Sequence, residues 1–190
     1  MKALPLLLLA LLTVGTTIVR ADENPWRFEF TDKAAVKSWR IVNDGVMGGK
    51  STSQVSVTED GHLKFRGTLS LANNGGFASV RLSPQQLNLK PGQTIVLRVK
   101  GDGRKYTFNL YTPERRTAYS FQQDFPTKAN EWIEVELPLD KFVAHWFGRP
   151  RKADQLDPEK VNSIGILLGD KKAGPFELLV DSIRIKTVDR

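Results

Sequence analysis

Apolar residues alternate with polar ones through most of this chain, and this two-residue period restricts the fold more than any other feature. It is the pattern of strands that bury one face and expose the other. The clearest segments are 62–66, 95–100, 106–110, 133–137, 164–168, 176–180 and 183–185, with further candidates at 26–30, 39–42, 53–58, 77–82 and 119–125. Segments this short and this numerous predict an all-β sandwich, with jelly-roll topology as the favoured arrangement.

Helix-forming signals are scarce in the same sequence. Thr31 and Asp32 can cap one or two helical turns, and Pro158 after Asp157 favours another short turn. Neither segment is long enough to cross over between parallel strands. Since no repeat, linker or low-complexity stretch divides the remainder, we expect residues 22–190 to form one β-sandwich domain with very little helix.

The first 21 residues have the pattern of an export signal. Lys2 gives a positive start, residues 4–14 are largely apolar, and residues 19–21 end in a small-x-small cleavage pattern. A retained membrane anchor is the alternative, but the apolar stretch falls short of the roughly 20 residues that a spanning helix needs. We therefore expect a periplasmic or secreted protein with no stable membrane span after signal removal.

Charge and cysteine content exclude several classes of function. The 28 basic residues outnumber the 21 acidic ones and mostly alternate with apolar residues, which favours a solvated sheet face. Attraction to an anionic glycan, a membrane surface or an acidic protein is the alternative, whereas an exported protein is not expected to bind nucleic acid. The absence of cysteine excludes disulfides, thiolate metal sites and cysteine nucleophiles.

Four polar turns that contain glycine separate the expected strands, at residues 42–51, 73–77, 100–104 and 169–171. Asp44, Asp102 and Asp170 lie in three of them and suggest a shared calcium ion, although Asp-Gly is also ordinary turn chemistry. The first turn resembles a nucleotide phosphate loop, but that motif requires a glycine where Asp44 stands. Turn formation is the favoured interpretation, so we expect no metal and no cofactor.

Catalytic signals are weak. The two histidines are His62, on the polar side of a predicted strand, and His145, beside Trp146 in a loop. Neither a Gly-x-Ser-x-Gly elbow nor a His-Glu-x-x-His pair is present in the sequence. We therefore expect a protein that is not an enzyme. A hydrolase or lyase that acts on polysaccharide is a weak alternative.

Arg81, Arg104 and Trp146 are the side chains best suited to binding. Arginine forks fit carboxylate and sulfate groups, but internal pairs with a turn aspartate are the alternative. Trp146 can stack on a sugar or anchor a partner protein, or else close one end of the core. We expect these three side chains to share one surface.

The same residues carry a resemblance to the complex I intermediate-associated protein family. The matching segments are Trp39 with 42–51, then 65–67, 73–81 and 99–106, Trp132 with 137–139, Phe142, 146–148, 164–166 and 175–178. The resemblance implies a galactose-binding-like β-sandwich and brings no catalytic residues with it. The candidate binding residues, several of them in the family's signature turns, are Asp44, Met47, Arg81, Asp102, Arg104, Tyr106 and Trp146.

The family is named for an assembly factor that holds membrane-arm intermediates of respiratory complex I in mitochondria. The leucine-rich leader of this chain differs from an arginine- and serine-rich mitochondrial transit peptide, so we expect an exported bacterial member. The predicted function is a non-enzymatic binding module that docks on a protein partner as an assembly factor or chaperone. A carbohydrate-binding module in the periplasm or outside the cell is the alternative.

Overall fold

The computed structural model describes residues 27–113 and 118–187, so the expected export signal at residues 1–21 lies outside the described residues. The described residues form thirteen strands. Their bounds are β1 Arg27–Glu29, β2 Trp39–Asn43, β3 Thr52–Val57, β4 Leu63–Leu69, β5 Ala78–Leu82, β6 Gln93–Lys100, β7 Lys105–Tyr111, β8 Tyr119–Pro126, β9 Trp132–Pro138, β10 Val143–Trp146, β11 Arg149–Pro150, β12 Ser163–Leu168 and β13 Gly174–Thr187.

The strands pair into two antiparallel sheets. The first sheet has the order β3-β4-β13-β6-β9, with β1 added beside β13. The second sheet has the order β11-β10-β8-β7-β12-β5-β2. Alternate residues of each sheet point into one shared core, so the prediction of an all-β sandwich is confirmed.

Aromatic and aliphatic side chains from both sheets fill that core. Phe65, Tyr106, Phe108 and Phe125 are fully buried, and Tyr106 stacks on Phe125 with ring centroids 6.0 Å apart. Burying a side chain of this size contributes about 1.5–3 kcal/mol relative to leaving it exposed. The outward positions of the first sheet carry cross-strand ion pairs, such as Arg184 with Glu134 at 3.1 Å, as expected of a solvated face.

Within the described residues, helix is confined to 3-10 turns, at Lys33–Ser38, Asp44–Met47, Ala72–Asn74, Leu139–Lys141 and Pro158–Lys160. Asp32 caps the first of these, because its Oδ1 accepts a hydrogen bond from the backbone N–H of Ala34 at 2.7 Å. In residues 27–113 and 118–187, no helix has the length and apolar character needed to cross a membrane.

Two strand predictions differ from the structure. The hairpin β10–β11 was not predicted, and the segments predicted at 176–180 and 183–185 are one strand, β13. A bulge at Asp181 interrupts the register of β13 against β6. Because a bulge adds one residue, it returns Ile183 and Ile185 to the buried face and explains the break in alternation.

Candidate functional site

Asp44 is the centre of the turn at residues 42–51, and it is fully buried. Its Oδ1 accepts a hydrogen bond from the Ser51 N–H at 2.9 Å, and its Oδ2 accepts one from the Ser51 hydroxyl at 2.6 Å. The backbone N–H groups of Gly76 and Phe77 also donate to Oδ2, at 2.6 and 3.3 Å. One carboxylate therefore joins two chain segments more than 30 residues apart.

Glycines make room for this carboxylate. A Cβ atom at Gly49 would lie 2.5 Å from Asp44 Oδ1, and one at Gly75 would lie 2.5 Å from Asp44 Oδ2. Neither distance is compatible with a side chain. Gly49 and Gly75 are therefore a requirement of packing around the buried carboxylate.

Hydrogen bonds keep Asp44 charged despite its burial. Burial by itself raises the pKa of Asp44, but the bonds from Ser51, Gly76 and Phe77 outweigh it and hold the pKa below the ordinary value. The predicted binding residue Asp44 is thus enclosed by the protein and presents no free oxygen to a ligand.

The turn built on Asp44 exposes apolar side chains. Val46 and Met47 are 72% and 59% exposed, and Leu71 in the neighbouring loop is 45% exposed. Asn73 ties the two loops together, since its Nδ2 donates to the Gly48 carbonyl at 3.0 Å. We call Val46, Met47 and Leu71 the apolar tip.

Arg104 is engaged inside the protein. Its guanidinium donates to both carboxylate oxygens of Asp170, at 2.6 and 3.0 Å, and both side chains are largely buried. It also donates to the carbonyls of Pro175 and Lys172. Burial raises and the hydrogen bond from Arg104 lowers the pKa of Asp170, with a net value below the ordinary one. Arg104 therefore closes a loop and has few donors left for a partner.

Tyr106 and Asp102 belong to the same internal network. Tyr106 is fully buried, and its hydroxyl donates to Asp102 Oδ2 at 3.1 Å. Burial, followed by the charge of Asp102, raises the pKa of Tyr106. Asp102 further accepts hydrogen bonds from the backbone N–H groups of Glu177 and Arg104. The structure thus gives these two predicted site residues internal partners.

Trp146 lies on an exposed hairpin between β10 and β11. The Trp146 and Phe147 side chains are 45% and 55% exposed, and their ring centroids lie 5.8 Å apart. Phe147 and Gly148 both have positive φ angles, of 48° and 72°, as in the two-residue turns that favour Asn-Gly. A phenylalanine in this backbone region is strained, so the hairpin keeps an exposed aromatic ring at a cost in stability.

The structure separates the predicted site residues into three places. Met47 and Arg104 lie at the end of the second sheet where β7 begins, whereas Trp146 pairs with β8 beyond the other end of β7. About eight residues of strand, roughly 25 Å, separate Arg104 from Trp146. Arg81 lies on the outer face of the sheet, with its guanidinium 5.0 Å from the centre of the Tyr111 ring. The expectation that Arg81, Arg104 and Trp146 share one surface was wrong.

The three turn aspartates do not converge on a common point. Asp44 accepts hydrogen bonds from Ser51, Gly76 and Phe77, whereas Asp102 and Asp170 both accept hydrogen bonds from Arg104, through its backbone N–H and its guanidinium respectively. Across the ranges 27–113 and 118–187, no group of three or more acidic or histidine side chains is arranged to hold a metal ion.

The histidines have packing partners. The His62 ring lies 4.8 Å from the Trp132 ring, and its Nε2 is 3.5 Å from Asp181 Oδ1. The His145 Nδ1 lies 3.0 Å from the Val143 carbonyl oxygen. The His62 contacts agree with its interpretation as a surface residue, whereas His145 lies in strand β10 and not in the loop that the sequence predicted.

Several exposed residues at these places were not identified from the sequence. Val46, Leu71 and Phe147 are apolar residues in loops, and nothing in the local pattern distinguishes an exposed loop residue from a buried one. Arg40 and Tyr111 were also missed, although their alternation with inward residues placed them on the outer face of a predicted sheet.

Comparison with known proteins supports the fold. The family 11 carbohydrate-binding module from Clostridium thermocellum, solved in complex with a beta-1,3-1,4-mixed-linked tetrasaccharide, superposes with a TM-score of 0.61 and 14% identity over 85% of this chain and 96% of that one. The agarase AgWH50C superposes with a TM-score of 0.58 and 12% identity, over 87% of this chain and 26% of the enzyme. At these identities the likeness is one of fold, and it confirms the predicted galactose-binding-like sandwich.

Sequence comparison identifies the family. The mitochondrial complex I intermediate-associated protein 30 of Mus musculus is 29% identical over 182 residues, which cover 84% of this chain and 55% of the mouse protein. The chain thus spans about half the length of that relative. The family model of complex I intermediate-associated protein 30 matches residues 28–180, nearly all of the described sandwich. This chain therefore belongs to the complex I intermediate-associated protein 30 family.

Proposed function

We propose that this chain is a non-enzymatic binding domain, an assembly factor or chaperone-like protein, that docks on a protein partner through its apolar tip. The observation that carries the proposal is the exposure of Val46 and Met47 on a turn anchored by a buried carboxylate. Exposed apolar side chains held in one place are typical of protein interaction sites.

The anchoring of the tip favours binding over chance exposure. Asp44 ties the turn to Ser51 at its far end and to Gly76 in the neighbouring loop, so Val46 and Met47 cannot fold back without breaking a buried network. A partner that binds such a preorganised loop pays little conformational entropy to order it. Methionine also adapts its shape to different apolar surfaces, as promiscuous binding sites require.

Family membership supports a protein partner. The curated mouse relative is named as a protein associated with an intermediate of complex I. Because this chain spans only about half of that relative, assembly of complex I by this chain is not carried over. We carry over only the general task of binding a protein before it assembles with its final partners.

We further propose that the domain works in the periplasm or outside the cell. The proposal rests on the apolar stretch and cleavage pattern in residues 1–21. Fusing residues 1–21 to a reporter enzyme and fractionating the cells tests it. Reporter activity that stays with the cytoplasm would contradict the assignment.

The docking proposal is tested by site-specific photocrosslinking in the native cell, with the photoreactive residue at Met47. A partner identified in this way is then purified and its affinity measured by calorimetry. We expect the double variant Val46→Ser, Met47→Ser to lose at least about tenfold in affinity, the effect of losing one or two well-buried anchors. The matched control is Phe147→Ser, an equally exposed apolar residue at the other end of the sheet. Equal affinity of the tip variant and the control would contradict the proposal.

A carbohydrate-binding module is the second candidate, and the β10–β11 hairpin favours it. Trp146 and Phe147 form a pair of adjacent exposed aromatic rings, the kind of surface on which sugars stack. The solved carbohydrate-binding module of similar fold supports the same idea. Against it, Tyr106 lies in the core and does not line an outer sheet face.

A glycan array followed by tryptophan-fluorescence titration tests the second candidate. Binding that is lost in Trp146→Ala and retained in Val46→Ser would support a sugar site on the hairpin. No binding to neutral or acidic glycans would remove this candidate and leave the protein-docking proposal untouched.

A further inference from the structure

Two arginines face each other across strands on the outer face of the second sheet. Arg40 on β2 pairs directly with Arg81 on β5, so both side chains point to the same side. The row continues through Gly165 on β12 to Asn109 on β7 and Gln122 on β8. Like charges directly opposite one another destabilise a sheet. The pair therefore has an unfavourable repulsion that an anion would relieve.

A tyrosine and a glycine shape the space beside these arginines. The Arg81 guanidinium carbon lies 5.0 Å from the centre of the Tyr111 ring, a cation–π contact. A Cβ atom at Gly165 would lie 3.2 Å from both Arg81 Cγ and Tyr111 Cε2, and 2.8 Å from the Val80 carbonyl oxygen. The glycine thus leaves the two side chains room to lie together over β12.

The hydrogen-bond donors of this cluster are largely unused within the described residues. Arg81 donates from Nε to the Ser79 hydroxyl at 3.3 Å, which leaves the two terminal nitrogens of its fork. Throughout residues 27–113 and 118–187, neither Arg40 nor Arg81 lies within ion-pair distance of a carboxylate. By contrast, Arg184 on the first sheet is paired with Glu134 at 3.1 Å.

The Tyr111 hydroxyl adds a neutral donor to the two cations. Burial raises the pKa of Tyr111, and the charges of Arg81 and Arg40 lower it in part. Arg81 lies over the Tyr111 ring, and Arg40 is the cross-strand partner of Arg81. At neutral pH the phenol keeps its proton and can donate a hydrogen bond.

We propose that Arg40, Arg81 and Tyr111 form a binding site for an oxyanion group, a carboxylate, sulfate or phosphate, on the outer face of the second sheet. Planar guanidinium forks bind such groups through two parallel hydrogen bonds, and charge makes these bonds stronger than neutral ones. The site is distinct from the apolar tip and does not rest on the proposed docking function.

The test is an NMR titration of the Arg81 Nε–H signal with sodium acetate, sulfate or phosphate, at constant ionic strength set with chloride. We expect a saturable shift with at least one of these anions, and the preferred anion identifies the group that the natural ligand carries. Replacing Arg40 by Gln should weaken that affinity about tenfold or more, because one charge-assisted contact is lost. Tyr111→Phe should weaken it by a smaller factor, because it removes only a neutral donor.

Two further variants separate a specific site from general charge attraction. Arg184→Gln removes the same charge from the other sheet and should leave the affinity unchanged. Arg40 is exposed, so its replacement keeps the fold. The Arg81→Lys variant keeps the positive charge but loses the planar guanidinium, and its anion affinity can be followed by calorimetric titration. The absence of any saturable shift would overturn the proposal. So would equal affinity of the wild-type, Arg40→Gln and Tyr111→Phe proteins.

Discussion

Replacement of Gly49 by alanine tests the reasoning about the Asp44 turn most directly. The added Cβ would lie 2.5 Å from Asp44 Oδ1 and 2.7 Å from Asp44 Cβ, well inside ordinary contact distance. Either the carboxylate swings away and gives up hydrogen bonds from Ser51 and Gly76, or the turn backbone shifts. Overpacking costs about 1–3 kcal/mol, and each buried donor left unsatisfied costs about 1–3 kcal/mol more. We therefore expect the free energy of unfolding to fall by about 3 kcal/mol.

Urea unfolding provides the assay, and the same turn provides a matched control. Gly45 has nothing within 4 Å of an added Cβ and no positive φ, so Gly45→Ala should change stability by less than about 0.5 kcal/mol. In a domain of this size, a loss of 3 kcal/mol lowers Tm by roughly 6–12 °C. Truncating Asp44 to alanine should remove part of the Gly49→Ala penalty in a double-mutant cycle. Similar stability of the Gly49→Ala and Gly45→Ala proteins would refute the packing argument.

Three further predictions concern the other buried and strained groups. Arg104→Gln leaves Asp170 largely buried without its ion-pair partner, and we expect urea unfolding to show a loss of about 2–4 kcal/mol, partly recovered in Arg104→Lys. The folded-state pKa values of Asp44 and Asp170 are both lowered, so their stabilisation should be complete above about pH 4 and be lost as the pH falls below it. Unfolding curves between pH 6 and 2.5 should show this loss, and Asp44→Asn should flatten it; an unchanged pH profile in that variant would count against the assignment. Phe147→Asn relieves a positive φ angle, so thermal unfolding should show a gain of about 0.5–1 kcal/mol, and a destabilised variant would mean that the ring packs on the protein.

Alternation predicted most of the sheet structure because each strand buries one face and exposes the other. It missed β10, since Val143, Ala144 and Trp146 give an apolar run with little alternation. The turn after it was also hidden, because a phenylalanine stands where such turns favour asparagine. Prediction from the local sequence thus failed at the β10–β11 hairpin, where the residues present are not the ones that strands and two-residue turns usually favour.

The candidate site was harder to predict than the fold. An Asp-Gly pair at position 44 is typical of an exposed turn, but its carboxylate is buried and accepts hydrogen bonds from Ser51 and, in a distant segment, from Gly76 and Phe77. Likewise, the partner of Arg104 is Asp170, which lies 66 residues further along the chain. Contacts between residues this far apart leave no trace in spacing or composition. The sequence could indicate which residue types were suitable for binding a ligand, but not which of these residues are already hydrogen-bonded within the protein.

The position of β13 has a consequence for how the protein reaches its native state. This strand is the last one described, and it alone connects β4 to β6 in the middle of the first sheet. Until Gly174–Thr187 is in place, the β3–β4 hairpin and the β6–β9 pair each present an open edge that can recruit other chains. The first sheet therefore cannot close before β13 has paired, and folding is expected to be slow because its decisive pairings join segments distant in the chain. A sheet that stays open until β13 pairs remains available to holding factors for longer than a sheet built from neighbouring segments.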